Sequence, residues 1–275
     1  MGRTAAEKRN AFRELHRTGC FVIPNPWDAG SAAILQSLGF KALASTSAGF
    51  AWSQARPDYN VERDAVLAHL TALCAATDLP VNADFENGFA DAPEDVAANV
   101  ALAVETGISG LSIEDSSWAE GDPLYAFDLS VARVAAARKA IDDSGSGVFL
   151  TARSEGFFAG KPDFDETIER LKAYAAAGAD CLYAPGLREE AQIAAVVAAV
   201  APKPVNVLTF GLSVRTLADL GVRRISVGGS LARCAYAELH RIGTEIAENG
   251  TFGAFTAPHV SGFVPNRLFE SYREK

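Results

Sequence analysis

The chain has 275 residues, of which 49% are hydrophobic and 21% charged, and its formal net charge is −9. This length supports one large domain with its own core, and no apolar run approaches the roughly 20 residues that a bilayer requires. Excess negative charge with scattered basic residues argues against nucleic acid or an anionic membrane as the partner. The cysteines stand singly and the N-terminal stretch is charged, which predicts reduced thiols, no signal peptide and a cytoplasmic location.

Short β-branched runs alternate with alanine-rich amphipathic stretches along nearly the whole chain. The alternation predicts strands at residues 21–24, 42–46, 81–85, 110–114, 148–153, 181–184, 205–208 and 224–227. It predicts helices at residues 29–38, 61–76, 93–106, 129–141, 164–177, 189–200, 213–220 and 230–248. Strands joined by single helices run parallel with right-handed crossovers. Eight such units predict one closed (β/α)8 TIM barrel over residues 1–275 rather than an open doubly wound sheet.

One connection and the C-terminal end fall outside this alternation. Residues 47–60, SAGFAWSQARPDYN, follow the second strand, where barrel enzymes carry loops that cover the site, although an ordinary surface loop is the alternative. Residues 250–275 hold four phenylalanines, and exposed apolar tails are unfavourable in water. We therefore predict a helical tail that packs on a neighbouring subunit of a homo-oligomer or on its own barrel.

Acidic residues are concentrated where the third and fourth strands end. Polar residues at the carboxyl ends of barrel strands converge on the mouth, so Asp84, Glu86 and Glu114 should lie close together. Asp84 and Glu86 are two residues apart, which would place them on one side of a strand. Clustered like charges repel unless a cation lies between them, and an oxygen-only set favours Mg²⁺ or Mn²⁺ over zinc. A carboxylate cluster held by arginine or helix N-termini is the alternative.

Other strand ends carry polar residues as well. Arg153 ends the fifth strand, and its forked guanidinium suits a substrate carboxylate or phosphonate. A structural salt bridge from Arg153 to Glu114 or Glu155 is the alternative. The remaining candidates are Asn25, Ser45, Thr46, Asp115, Ser154, Tyr183, Asn206, Ser226 and Gly228.

Six motifs, in order and spacing, resemble the isocitrate lyase and phosphoenolpyruvate mutase superfamily, closest to its short phosphonomutase-like branch. They are ASTSAGFAWSQARPD, NADFENG, SIEDS, TARSE, PVNVL and ISVGGSLAR, and the resemblance covers about residues 10–248. It implies a (β/α)8 barrel, dependence on Mg²⁺, and cleavage or formation of a C–C or P–C bond next to a 2-oxo acid through a pyruvate-type enolate. It also implies a homotetramer with exchanged C-terminal helices.

The resemblance further implies roles for individual residues. The counterparts of Asp84, Glu86 and Glu114 hold Mg²⁺, largely through water. Asp58 lies on a gating loop near the ion, and Arg153 binds the substrate. The positions that would line the carboxylate pocket or donate hydrogen bonds to it are Thr46, Ser47, Ala48 and Asn206.

Residues 116–128, SSWAEGDPLYAFD, depart from both main branches of the superfamily. They lack the cysteine and histidine of the lyase loop and the asparagine of the phosphonate enzymes. We therefore expect a Mg²⁺-dependent lyase for a small 2-oxo or 2-hydroxy dicarboxylate, such as an oxaloacetate decarboxylase, with solvent or Tyr183 protonating the enolate. The alternatives are a P–C bond enzyme, either a phosphonomutase or a phosphonopyruvate hydrolase, and a catalytically silent barrel whose tail mediates assembly.

Overall fold

Eight parallel strands form a barrel in the computed structural model, which describes residues 2–273. The strands are β1 Phe21–Ile23, β2 Leu43–Ala44, β3 Val81–Asp84, β4 Gly110–Glu114, β5 Phe149–Arg153, β6 Cys181–Tyr183, β7 Val205–Leu208 and β8 Arg224–Ser226. Their order is β1-β8-β7-β6-β5-β4-β3-β2. Between β1 and β2, the Ala44 amide donates to the Pro24 carbonyl at 3.0 Å. The predicted (β/α)8 TIM barrel is confirmed.

Helices alternate with the strands and surround the barrel. They are α1 Ala5–Leu15, α2 Ala29–Ser37, α3 Ser47–Ser53, α4 Arg63–Ala76, α5 Pro93–Glu105, α6 Phe127–Asp143, α7 Phe164–Ala176, α8 Glu190–Val200, α9 Val214–Asp219 and α10 Ser230–Asn249. Apolar residues recur every three or four positions on their inner faces. On α5, for example, Val96, Val100 and Ala103 are fully buried, which is the spacing that fixes a helix against a sheet.

Helix α1 closes the N-terminal end of the barrel and was not among the predicted helices. A capping box starts it, because the Thr4 hydroxyl accepts from the Glu7 amide while the Glu7 carboxylate accepts from the Thr4 amide at 2.8 Å. At its other end, the His16 ring stacks on Phe149, the first residue of β5, with ring centroids 4.1 Å apart. Phe12 packs edge-on against the same ring. These rings plug the end of the barrel opposite the strand carboxyl ends.

The C-terminal tail is helical, as predicted. After α10 come a 3₁₀ helix, Gly253–Thr256, then α11, Pro258–Ser261, and α12, Pro265–Arg273. Helix α12 lies beside α2, and the Phe269 ring reaches Gly30 there. The tail thus touches its own barrel in this single chain, and its packing on a neighbouring subunit stays a prediction. Within residues 2–273, every helix is too short or too polar to cross a membrane.

Candidate active site

A cavity of about 340 Å³ opens at the carboxyl ends of the strands. Its volume suits a small molecule rather than a polymer. Most of the predicted site residues line it: Thr46, Ser47, Ala48, Asp58, Asp84, Arg153, Tyr183 and Asn206. Two predicted site residues do not line this cavity. Glu114 is buried beneath Trp118, and Glu86 lines a neighbouring cavity.

Arg153 joins three carboxylates at the end of β5. Its Nε donates to Glu155 Oε1 at 2.7 Å and its Nη1 donates to Asp84 Oδ1 at 2.7 Å. Its Nη2 forms an ion pair with Glu114 Oε2 at 3.1 Å. Burial opposes the charged guanidinium, yet Glu155, Glu114 and Asp84 together raise the pKa of Arg153 well above its ordinary value. The salt bridge expected as the alternative role of Arg153 is therefore present in this structure.

Glu114 is enclosed behind the barrel mouth. Its other oxygen, Oε1, accepts a hydrogen bond of 2.7 Å from the Trp118 indole, and its side chain is wholly buried. Burial raises the pKa of Glu114 well above the ordinary carboxyl value, while Arg153 acts to lower it. Glu155 is equally buried, and burial raises its pKa to about 7. The Oε2 atom of Glu155 has no hydrogen-bond partner among the described residues.

Glu86 does not follow the strand geometry on which its prediction rested. Strand β3 ends at Asp84, and the Glu86 backbone has a left-handed φ of 48°. Its carboxylate receives no hydrogen bond from the described part of the chain. Burial, then the charges of Asp84 and Asp58, raise its pKa to about 8. Glu86 is thus an unpaired acidic group close to Asp84.

The predicted metal ligands are near each other but do not form a compact direct site. Asp84 and Glu114 meet through Arg153, whereas Glu86 lies to one side. In residues 2–273, no group of three or more Asp, Glu, His or Cys side chains is arranged to hold one ion. Direct coordination by all three carboxylates is therefore not the geometry seen here.

The connection after β2 covers the site, as its sequence predicted, but it begins with a helix. Thr46 caps α3, its hydroxyl accepting from the Gly49 amide at 3.2 Å, and the Ser47 amide donates to Asp84 Oδ2 at 3.0 Å. Further along, burial and the Asp84 charge raise the pKa of Asp58. The next residue, Tyr59, packs against Trp118 with ring centroids 4.5 Å apart and the ring planes tilted by 39°. The two aromatic rings join the α3–α4 connection to the β4–α6 connection.

Tyr183 and Asn206 lie on the opposite wall of the cavity. The Tyr183 ring lies beneath Arg153, whose guanidinium carbon is 5.3 Å from the ring centroid. Burial raises the pKa of Tyr183, so its hydroxyl keeps its proton at neutral pH. Asn206 donates from Nδ2 to the Ser226 hydroxyl at 3.0 Å and accepts at Oδ1 from Arg224 at 2.8 Å.

The structure adds two residues to which sequence reasoning gave no role at this site, Tyr59 and Arg224. Glu155, expected only as a possible salt-bridge partner of Arg153, is part of the charged cluster. Tyr59 adjoins Asp58, but its left-handed φ of 59° leaves no mark in the sequence. Arg224 opens β8, where the strand-end rule directs attention away from it, yet its side chain lines the cavity.

Known proteins resemble this chain in sequence and in fold. The family model of phosphoenolpyruvate phosphomutase matches residues 12–247. A crystal structure of a Burkholderia cenocepacia J2315 protein, assigned as a lyase or mutase, has a TM-score of 0.92 and 49% identity, covering 98% of this chain and 97% of that one. A Corynebacterium glutamicum protein assigned as 2-methylisocitrate lyase 2 is 30% identical, covering 89% of this chain and 82% of its own length. Oxaloacetate decarboxylase of Paraburkholderia xenovorans is 28% identical, covering 96% and 88%.

The barrel and the charged cluster at its mouth define an enzyme of the lyase and mutase class. The chain belongs to the phosphoenolpyruvate phosphomutase family, within the isocitrate lyase and phosphoenolpyruvate mutase superfamily. The resemblance carried by the six sequence motifs is therefore confirmed.

Proposed function

We propose that this enzyme is a divalent-metal-dependent carbon–carbon lyase for a small 2-oxo acid, with decarboxylation of oxaloacetate as its reaction. The observation that carries the proposal is the excess of buried and half-buried acidic side chains in and beside the cavity. Asp84, Glu114 and Glu155 share Arg153, while Asp58 and Glu86 form no ion pair in the described part of the chain. The similarity to the oxaloacetate decarboxylase of Paraburkholderia xenovorans, which covers most of both chains, supports the choice of substrate.

The acidic residues fit a hard divalent cation in charge and in donor type. Unpaired buried carboxylates are unfavourable, and Glu86 relieves that cost here by retaining a proton, with its pKa raised to about 8. All the donors are oxygen atoms, as Mg²⁺ or Mn²⁺ prefers. Mg²⁺ also keeps several of its own waters, so it does not require three direct protein ligands. Asp84, Glu86 and Glu114 would hold the ion, with Asp58 on the covering connection beside them.

When bound, the ion supplies a Lewis acid that stabilises the enolate formed as the carbon–carbon bond breaks. The chain's own residues do the rest. Arg153 fixes the Asp84 and Glu114 carboxylates, and the Ser47 amide holds the second Asp84 oxygen. The lining residues Thr46, Ala48 and Asn206 bound the substrate pocket. Tyr59 and Trp118 close the side of the site against water. Tyr183 lines the cavity and keeps its hydroxyl proton, because burial raises its pKa.

The test is pyruvate formation from oxaloacetate by the purified protein, coupled to lactate dehydrogenase. Free Mg²⁺ decarboxylates oxaloacetate slowly, so the Asp84→Asn variant at the same Mg²⁺ concentration is the matched background. We expect turnover well above that background, its loss with EDTA and its return with Mg²⁺ or Mn²⁺. The proposal is overturned if the rate of pyruvate formation is unchanged by EDTA, or if it equals the rate of the Asp84→Asn variant.

A P–C bond enzyme is the second candidate, because the matching family model is that of phosphoenolpyruvate phosphomutase. Against it, residues 116–128 contain no asparagine, and Trp118 occupies this connection with its indole bonded to Glu114. Conversion of phosphonopyruvate, followed by phosphorus NMR, is the discriminating assay. The catalytically silent barrel, the third candidate, conflicts with membership in a family of enzymes.

A further inference from the structure

The two sides of the active-site cavity differ in chemistry. The lining carboxylates, Asp58 and Asp84, follow β2 and end β3 respectively. In the closed strand order, β6 and β7 lie across the mouth from β2 and β3. The lining on that far side is apolar toward the rim, and we call it the apolar wall: Phe158 after β5, Pro185 after β6, Leu208 at the end of β7 and Phe210 after it.

The apolar wall lies above polar residues of the same strands. Leu208 is two residues beyond Asn206 on β7, and Pro185 is two residues beyond Tyr183, where β6 ends. Residues two apart on a strand point to the same side, and each residue advances about 3.3 Å along the strand. Leu208 is therefore nearer the rim than Asn206. This side of the cavity offers hydrogen-bonding groups at depth and hydrocarbon at the mouth.

Phe158 is fixed in the apolar wall by close packing against the β6–α8 turn. Gly186 has a left-handed φ of 92°, and a β-carbon placed there would lie 2.9 Å from the Phe157 side chain and 3.2 Å from the Phe158 nitrogen. Glycine alone permits this approach without strain. The Phe158 amide also donates to the Glu155 carbonyl at 2.8 Å. Phe158 is nonetheless 50% exposed where it lines the cavity.

Phe210 is also held in place. It lies in a tight turn closed by the Thr209 hydroxyl, which donates to the Leu212 carbonyl at 2.9 Å. The guanidinium carbon of Arg188 lies 4.5 Å from the Phe210 ring centroid, within the range of a cation–π contact. Phe210 is 47% exposed. The two phenylalanines therefore present fixed apolar surface at the mouth, and such surface marks a binding site for an apolar group.

The position of the acidic residues decides which part of a substrate meets the apolar wall. Asp84, Glu86 and Glu114, the residues proposed to hold the divalent ion, lie at or just beyond the ends of β3 and β4. The C1 carboxylate and C2 keto oxygen of a 2-oxo acid bind the ion and so lie on that side. C3 is the next carbon, and a group attached to it extends across the cavity toward β6 and β7.

We propose that the substrate carries an apolar substituent on C3 which binds to the apolar wall, so that the substrate class is the 3-alkyl 2-oxo dicarboxylates. This inference rests on the proposed function and keeps its chemistry, with oxaloacetate as the smallest member of the class. The C3–C4 bond breaks, carbon dioxide leaves, and the electron pair remains as an enolate. C3 then takes a proton from Tyr183 or from water, and the product is a longer 2-oxo acid.

The test compares oxaloacetate with its 3-methyl and 3-ethyl derivatives in the presence of Mg²⁺. The 2-oxo acid products are measured by liquid chromatography, and the rate of the Asp84→Asn variant with each compound is subtracted. Each carbon moved from water onto apolar surface contributes about fourfold, so kcat/KM should rise about fourfold with methyl and about tenfold with ethyl. The gain should appear mainly as a lower KM, because the substituent is bound alike before and during the reaction.

Two variants test whether the gain comes from the apolar wall. Phe158→Ser and Phe210→Ser should each lower the ratio of kcat/KM for the 3-ethyl compound to that for oxaloacetate by about threefold or more. Comparing this ratio between variants cancels the intrinsic reactivity of the compounds and any loss of active enzyme. Phe127→Ser is the matched control, because Phe127 is 38% exposed but lies on α6 and does not line the cavity. It should keep the parent ratio.

The possible failures are distinguishable. If oxaloacetate is turned over with metal but the 3-ethyl compound is no better a substrate, this inference alone is overturned. It is also overturned if both serine variants keep the parent ratio; a changed size in gel filtration would then assign the two rings to a contact between subunits. The absence of metal-dependent turnover of all three compounds overturns the proposed function.

Discussion

The Trp118 indole donates a 2.7 Å hydrogen bond to Glu114, a carboxylate fully buried behind the barrel mouth. Trp118 reaches it because its backbone adopts a left-handed φ of 56° in the β4–α6 connection. This is the connection whose sequence departs from both main branches of the superfamily. A neutral aromatic donor thus approaches the acidic cluster where those branches carry other side chains.

Replacing Trp118 by phenylalanine should lower the free energy of unfolding by about 1–3 kcal/mol, because it leaves a buried carboxylate oxygen without its donor. Urea unfolding of the metal-free protein measures the change. Trp52→Phe is the control, since the Trp52 indole makes no hydrogen bond among the described residues. Equal losses in the two variants would show that the bond to Glu114 contributes nothing measurable.

Arg153→Lys should reduce kcat/KM about 100-fold, since one ammonium cannot hold three carboxylates in the planar arrangement of a guanidinium, and small misplacements are costly in catalysis. Steady-state kinetics with oxaloacetate and Mg²⁺ provide the measurement. Arg138→Lys is a fair comparison, because Arg138 also contacts two carboxylates, Asp142 and Asp180, but lies away from the cavity. We expect that variant to retain its activity; similar losses in both would contradict a specific role for Arg153.

The stability of the metal-free protein should fall as the pH rises from 5 to 9. Burial raises the pKa of Glu155 to about 7 and that of Glu86 to about 8, so the folded state holds protons that the unfolded state releases near the ordinary carboxyl value of 4.5. The stabilisation is complete below that ordinary value and is lost as pH passes through 7 and 8. Thermal unfolding in EDTA across this range is the measurement.

Two further experiments test the origin of that pH dependence. Glu86→Gln should flatten the upper part of the profile, because it removes the group that titrates there. Added Mg²⁺ should raise Tm more at pH 9 than at pH 5, since metal binding requires ionised carboxylates. A profile that is flat in EDTA, or a Mg²⁺ effect that is largest at pH 5, would be inconsistent with these shifted carboxyl groups.

The predicted homotetramer should dissociate when the chain is shortened to end at Glu248. The removed part carries exposed apolar side chains, including Phe252 at 56% and Val264 at 54% exposure, and such surfaces mark contact sites. Gel filtration with light scattering compares the full and shortened chains. If the shortened chain elutes at the size of the full one, the tail does not hold the subunits together.

The barrel was predictable because its hydrophobic pattern repeats eight times, and each repeat has few ways to fold. Strand ends were placed within one or two residues in most cases. Thr46 is instructive: its side chain suits a strand, but it serves as the cap of α3 instead. Local propensity does not separate these outcomes, since a β-branched residue with extended backbone is compatible with both a strand and a helix N-cap.

The sequence predicted which residues belong to the site better than it predicted how they are arranged. Strand alternation correctly brought Asp84 to the mouth, but it failed for Glu86, whose left-handed backbone lies beyond the end of β3. Nothing in the residue type signals that turn, because glutamate rarely adopts it. Arg224 illustrates a different limit, since the neutral side chains on β5 and β7 that accept its hydrogen bonds are brought together only by the folded barrel.

Phe12 and His16 pack against Phe149 and close the base of the barrel. The interior is therefore open at one end only. Whatever enters at the rim must leave at the rim. A departing product therefore blocks an arriving substrate, and the two compete for the same space.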